Sequence, residues 1–214
     1  MGTAERKERE KLLRKKAIVD AAEKVFFSKG YDTATMDDVA EKAELSKGTL
    51  YLYFKSKEEL YLEIVARAEK LLYDLFEKAV EKEPNGICRV RAIGEAFMKF
   101  YVEHPNYHSA LMFDQAKEAV PSELEIAETV HEEMKKNANG LLIEALKSGI
   151  EDGTIRADIN PASIAIVLWG ESLGVMQLVK QKGALLKHEF GQDPDAIIKD
   201  FFEFTFRALK SGKE

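Results

Sequence analysis

One cysteine, five prolines, four histidines and one tryptophan occur in 214 residues, and each shortage closes off a class of protein. A lone Cys88 cannot form a disulfide within the chain, which suits a reducing compartment and a small buried thiol. The histidines form no zinc motif. His104 and His108 are split by Pro105, and His131-Glu132-Glu133 does not complete H-E-x-x-H, so no metal is expected. The N-terminus, MGTAERKEREKLLRKK, has no apolar signal core. The longest mostly apolar run, Ala162 to Gly170, stops at Glu171, short of the roughly 20 residues a membrane helix needs. The expectation is a cytoplasmic protein that does not engage a membrane. No phosphate-cradling glycine loop and no paired carboxylates stand out, so no cofactor is expected. Runs that alternate as strands do are scarce.

What the chain does have is helical periodicity and an uneven distribution of charge. Apolar residues make up 45% and charged residues 33%, the balance of a soluble globular protein. The net charge of −6 argues against a nonspecific coat for nucleic acid. Residues 1–60, however, carry 13 Lys and Arg against 12 Asp and Glu, and the remainder 19 against 26. Positive charge gathers in the arm Arg6–Lys16 and in Ser46–Lys57, a stretch with no acid. That asymmetry fits a DNA-binding head on an acidic body.

Ile18, Ala22, Val25 and Phe26 recur with helical spacing, and Gly30 ends that helix. Thr35 with Asp38 reads as a capping box for a second helix, and Ser46 caps a third. Ser56 with Glu59 reads as a capping box for a long fourth helix, with Leu60, Ile64, Ala68, Leu71, Leu75 and Ala79 inward. Ile93, Phe97, Phe100 and Tyr101 line the next helix, and Pro105 opens a short one. Ser122 with Glu125 starts a long helix expected to run unbroken through Met134 and Leu146. Asn160-Pro161 and Asp193-Pro194 start the last two. Those two are apolar on more than one side, and Gly170 and Gly174 leave a small-residue groove, so a symmetric dimer through them is expected.

Thr35–Ala43, Glu44-Leu45 and Ser46–Tyr53 supply the support helix, tight turn and recognition helix of a helix-turn-helix. Lys47, Thr49 and Tyr51 can reach phosphates or base edges, Gly48 permits close backbone approach, and Lys57 with the helix start at Ser56 can hold a phosphate. A solvated helical hairpin would read much the same. A competing motif, G-x-S-x-G at Gly170–Gly174, is that of the nucleophile elbow and would make Ser172 the nucleophile of a serine hydrolase. It lacks alternating strands and helices, lacks an oxyanion segment, and has only His188 downstream as a base. The expectation is therefore that the chain is not an enzyme.

The segment VAEKAELSKGTLYLYFKSKEEL, extended back through AIVDAAEKVFFSKGYDTATMDD, resembles the DNA-binding domain of the TetR family of bacterial transcriptional regulators. Ala21, Phe26, Gly30, Thr35, Ala40, Ser46, Gly48, Leu50, Tyr51, Phe54, Lys57 and Leu60 carry the likeness, and SGIEDGTIRADINP is similar to a connection found late in such regulators.

The resemblance implies an all-α homodimer of roughly nine helices. Residues 1–56 would form a three-helix DNA-binding head, and 57–214 a ligand-binding and dimerisation body. The function implied is a repressor on a palindromic double-stranded operator, released by a small-molecule effector; an alternative is a regulator without a small ligand that works through a protein partner. Thr35, Lys47, Thr49, Tyr51, Tyr53 and Lys57 become DNA contacts by this resemblance, with Tyr53 and Lys57 on phosphates, beside Ser46 and Gly48 at the start of the recognition helix. Phe97, Phe100, Tyr101, Met112, Phe113, Met134, Trp169 and Met176 are the candidates for an apolar pocket. The family often has glycine in the turn where this chain has Glu44, so a positive φ there would strain it.

Overall fold

The computed structural model describes residues 3–115 and 137–212. Among them are nine helices and no strand: α1 Thr3–Lys29, α2 Met36–Lys42, α3 Lys47–Tyr51, α4 Lys57–Val80, α5 Gly86–Glu103, α6 Pro105–Gln115, α7 Ala138–Glu151, α8 Pro161–Phe190 and α9 Pro194–Leu209. The chain divides into two compact units. The first runs from α1 to Lys70 within α4 and adds α6; the second takes α4 from Leu71, then α5, α7, α8 and α9.

In the first unit the inward stripe of α1, Ile18, Ala22, Val25 and Phe26, is buried with Val39 and Ala40 of α2, Leu50 of α3, Phe54, and Leu60 and Ile64 of α4. Gly30 takes φ 80° and closes α1 by donating its N–H to the Phe26 carbonyl at 2.9 Å. Thr35 and Asp38 complete the capping box of α2 in both directions. The start of α4 corrects the sequence reading. Ser56 Oγ accepts the Glu59 N–H at 3.1 Å, but the Glu59 carboxylate reaches back to the Lys55 N–H at 2.6 Å, one residue before the expected partner. α6 packs in this unit through Tyr107, whose ring meets Phe27 edge-on at 5.4 Å and whose hydroxyl donates to Glu23 at 2.6 Å.

The second unit is pinned where the glycines of α5 and α7 touch. A methyl group on Gly86 would lie less than 3.0 Å from the N and Cα of Gly149, so the two backbones meet with no room for a side chain. The loop after α7 then holds three helix ends. Asp152 accepts the Gly86 N–H at 2.7 Å and Thr154 accepts the Ile87 N–H at 3.2 Å, capping α5 from 66 and 67 residues away. Ile155 is buried against Gly149 and forms an isolated antiparallel bridge with Lys210, just past α9. This is the connection singled out in the sequence as SGIEDGTIRADINP.

The unbroken helix expected through Met134 and Leu146 does not form at residue 137. Asn137 takes extended backbone and accepts the Gly140 N–H, so α7 starts anew there. Asparagine competes for backbone donors at a helix start, and apolar spacing alone does not register that. Ser122, Glu125, Met134 and His131 lie outside the described residues. α8 continues past Glu171 and is long and apolar enough by length and composition to cross a membrane, with a window of mean hydropathy 1.6 that is 22% buried. Run length in the sequence understates this helix, because one acid, Glu171, interrupts an apolar run without interrupting the helix.

Candidate nucleic-acid interface

α2 and α3 form a helix-turn-helix whose turn is made by one strained residue. Glu44, the lone non-glycine with positive φ among the described residues, sits at φ 56°. Its N–H donates to the Glu41 carbonyl at 3.0 Å and the next N–H, of Leu45, to the Ala40 carbonyl at 2.9 Å. This pair of bonds is the Schellman ending of a helix, which glycine adopts without strain. Replacing Glu44 by glycine is expected to stabilise the first unit by about 0.5–1 kcal/mol and so to raise its melting temperature. Relief of roughly 1–2 kcal/mol of left-handed strain outweighs about 0.4–1 kcal/mol of added chain entropy in the unfolded state. Thermal unfolding of the two proteins decides it; a lower melting temperature for the glycine variant defeats the argument.

The turn sets α3 so that its first residues face solvent. Ser46 Oγ accepts the Thr49 N–H at 3.2 Å and shares a hydroxyl–hydroxyl bond with Thr49 at 2.8 Å. Lys47, Gly48 and Tyr51 are exposed, nothing lies near a methyl group placed on Gly48, and Tyr53 is half-buried. Leu50, between them, is fully buried and fixes the helix on the head. Thr35, exposed at the start of α2, donates its hydroxyl to Asp38 at 2.9 Å. Hydrogen bonds from Lys29 and from Thr35 hold the Asp38 carboxyl down to about 2.

Two partners of these residues are not evident from the sequence. Asp37 pairs with the Lys47 ammonium at 2.8 Å, and that hydrogen bond raises the Lys47 pKa. The ion pair is exposed on both sides, so a phosphate can displace it at little cost. Lys57 is held differently. Its ammonium donates to the carbonyls of Tyr31 at 2.9 Å, Ala34 at 3.1 Å and Asp32 at 3.4 Å, and lies 4.4 Å from the centre of the Tyr31 ring. The Tyr31 hydroxyl donates to Glu58 at 2.8 Å, and burial together with that carboxylate pushes its pKa far up. Lys57 therefore ties the α1–α2 loop to the start of α4.

A family model described as "Bacterial regulatory proteins, tetR family" matches residues 18–64, which hold this helix-turn-helix. The chain is 34% identical over 157 residues to the uncharacterized HTH-type transcriptional regulator YhgD of Bacillus subtilis, covering 69% of this chain and 73% of that one. The chain belongs to the TetR family of bacterial transcriptional regulators. It is also 37% identical over 101 residues to the HTH-type transcriptional activator FasR of Mycolicibacterium smegmatis, a match spanning 47% of this chain and under half, 46%, of that protein. Among solved structures, FadR from Bacillus subtilis in complex with stearoyl-CoA shares the fold, with TM-score 0.62 and 18% identity over 90% of this chain and 98% of that chain.

In this TetR-family chain the second unit holds a narrow apolar cavity of about 40 Å³ between α4, α5, α7, α8 and α9. Of the pocket candidates read from sequence, Phe97 and Trp169 line it, with ring centres 5.3 Å apart. Phe100 and Met176 are buried elsewhere in the core, and the Tyr101 hydroxyl donates to the Met176 carbonyl at 3.4 Å. Met112 belongs to the first unit; the side chain of Phe113 and all of Met134 lie outside the described residues. Phe201, Phe202 and Phe206 line the cavity from α9, a helix whose sequence offers apolar residues both to the core and to a dimer partner. An apolar residue reads alike whether it meets a cavity or a partner, so the sequence had no signal to separate the two.

Ser172 also borders the cavity, inside α8, and donates its hydroxyl to the Leu168 carbonyl at 2.7 Å. The elbow chemistry needs a strand, a strained turn and an exposed hydroxyl, and this serine has a helix interior, an internal hydrogen bond and burial. Ser172 thus lacks the strand, the turn and the exposure that the hydrolase alternative requires of it.

Proposed function

We propose that the protein is a homodimeric, sequence-specific repressor that leaves its operator when an apolar effector enters the second unit. The observation that carries this reading is the exposed, acid-free face of α3, set by the Glu44 turn and anchored by buried Leu50. Residues 1–56 serve as the DNA-binding domain and 57–214 as the ligand-binding and dimerisation domain. Lys47, Thr49 and Tyr51 read base edges or phosphates, Ser46 and Gly48 let the backbone approach, Thr35 and Tyr53 touch the duplex backbone, and Lys57 acts through the loop it holds. Dimerisation uses α8 and α9, where Ile166, Val167, Leu178, Leu185, Phe190 and Phe204 are exposed. Those side chains make a second copy a better partner for α8 than a bilayer, since α8 also buries Ala165, Met176 and Val179 in its own unit. A reducing, cytoplasmic setting suits this role.

The effector is apolar because the cavity wall is. At about 40 Å³ the cavity holds a few waters at most, so a ligand must push lining side chains apart. An acyl chain fits such a wall, and FadR, which shares the fold, was crystallised with stearoyl-CoA. α4 starts in the head and ends at the cavity, so it is the covalent route for coupling.

The test uses a duplex selected from a random library by the protein itself. Footprinting is expected to protect two half-sites about 34–36 Å apart. Stearoyl-CoA is expected to weaken binding by roughly 5–150-fold, and the duplex to weaken stearoyl-CoA binding by the same factor. Selection of no sequence overturns the DNA reading; equal stearoyl-CoA affinity with and without the duplex overturns the coupling.

A further inference from the structure

We propose that the N-terminal extension of α1 is a second DNA-contacting element, laying Lys7, Lys11 and Arg14 on phosphates beside the segment faced by α3. The inference rests on the DNA-binding reading and adds to it a surface that the helix-turn-helix does not include.

The extension has no place in the core. From Glu5 to Lys16 every residue is exposed except half-buried Lys15, and the first buried residue of α1 is Ile18. Roughly three turns of helix, about 18 Å, thus bury no side chain in the head, and they meet it at the end, where Lys15 lies over the Phe54 ring and the Lys16 carbonyl accepts from Arg67. Their composition is equally one-sided: Arg6 to Lys16 holds seven Lys and Arg against two Glu, in a chain whose net charge is −6. Within that group the charges are sorted. Arg6 is paired with Glu10 at 2.9 Å and Lys15 with Glu63 at 2.5 Å, whereas Lys7, Lys11 and Arg14 have no salt-bridge partner among the described residues.

Position adds direction to charge. Lys7, Lys11 and Arg14 recur at i, i+4 and i+7, so they share one face of α1. That face borders a shallow surface groove lined by Lys7, Glu10, Lys11, Leu13, Arg14 and Tyr53. Tyr53 lies two residues past the last residue of α3 and is itself a candidate for backbone contact. The unneutralised cations therefore continue the surface that faces DNA. An acidic protein or an anionic membrane would satisfy the charge as well, but neither accounts for the shared groove with Tyr53. Cations in this arrangement bind by displacing the counterions of the duplex, independently of sequence.

The experiment compares the full chain with K7Q/K11Q/R14Q on the library-selected duplex and on an unrelated duplex of equal length, across a salt series. Glutamine keeps helix propensity close to that of the residues it replaces, and matching far-UV circular dichroism verifies folding. Loss of three phosphate contacts is expected to lower the salt slope of log K by about 2.7 per protomer and affinity by tens of fold near physiological salt. Both duplexes should lose the same factor, leaving their ratio unchanged. Trimming the selected duplex at its flanks should bring the wild type down to the variant. Unchanged slope and affinity overturn the proposal, as does a fall in the specific-to-unrelated ratio, which would mean base reading. T49A/Y51A serves as the control for α3: it should collapse that ratio. If α3 behaves so while the arm variant matches wild type, the arm proposal fails and the DNA-binding reading stands; if the wild type selects no duplex, both fail.

Discussion

Replacing Gly86 with alanine is expected to destabilise the second unit by about 3 kcal/mol or more, the upper end of what overpacking costs. The added methyl would lie within 3.0 Å of the N and Cα of Gly149 and 2.8 Å from the Ala145 carbonyl oxygen. All three obstacles are backbone, so no rotamer change makes room and α5 must lift away from α7. Lifting it also breaks the hydrogen bonds from Gly86 and Ile87 to Asp152 and Thr154, which cap α5. Burial pushes the Asp152 carboxyl up, but hydrogen bonds from the Thr154 hydroxyl and from the Gly86 and Thr154 N–H groups hold it below its ordinary range. The single tryptophan, Trp169, lies in this unit beside Phe97 and reports its unfolding in urea. A midpoint equal to that of wild type would show that the two helices can separate without loss, and would remove the Gly86–Gly149 contact from the account of this fold.

Replacing Lys57 with methionine is expected to destabilise the first unit by about 3 kcal/mol while leaving the salt slope of DNA binding nearly unchanged. Methionine keeps much of the stem but supplies no donor. The carbonyls of Tyr31, Ala34 and Asp32 lose a charged partner, each such bond being worth roughly 1.5–3 kcal/mol alone and less in sum. The Tyr31 ring loses its cation as well, at a cost of about 1 kcal/mol. Hydrogen exchange at the Ala34 amide, which donates to the Gly30 carbonyl at 3.1 Å, is the direct readout. A lysine that served the phosphate alone would give the opposite pattern: unchanged exchange, and a salt slope lower by about 0.9.

The head was the more legible half because its signals are local. The Thr35–Asp38 box, the Ser46 cap and the Gly30 ending each depend on groups no more than four residues apart, and each appears as read. Glu44 could be singled out for the same reason, since a turn between two short helices leaves few backbone conformations. The start of α4 shows the limit of that reasoning, for Glu59 had two neighbouring N–H groups in reach and took that of Lys55. The pocket was less legible. Aromatic residues at helical spacing pointed to Phe97 and Trp169, but the α9 wall depended on which apolar side of that helix turned inward.

The sequence by itself determined the helical class, the position of the helix-turn-helix and the family, because periodicity, caps and turn chemistry act within one or two turns of chain. Only the tertiary structure decided that Lys57 closes a loop, that Gly86 admits a neighbouring backbone, that Asp152 caps a helix 66 residues away, and that Lys7, Lys11 and Arg14 share a groove with Tyr53. Each of these joins residues far apart in the chain, and nothing in local spacing records which distant surface a side chain will meet once the core has closed.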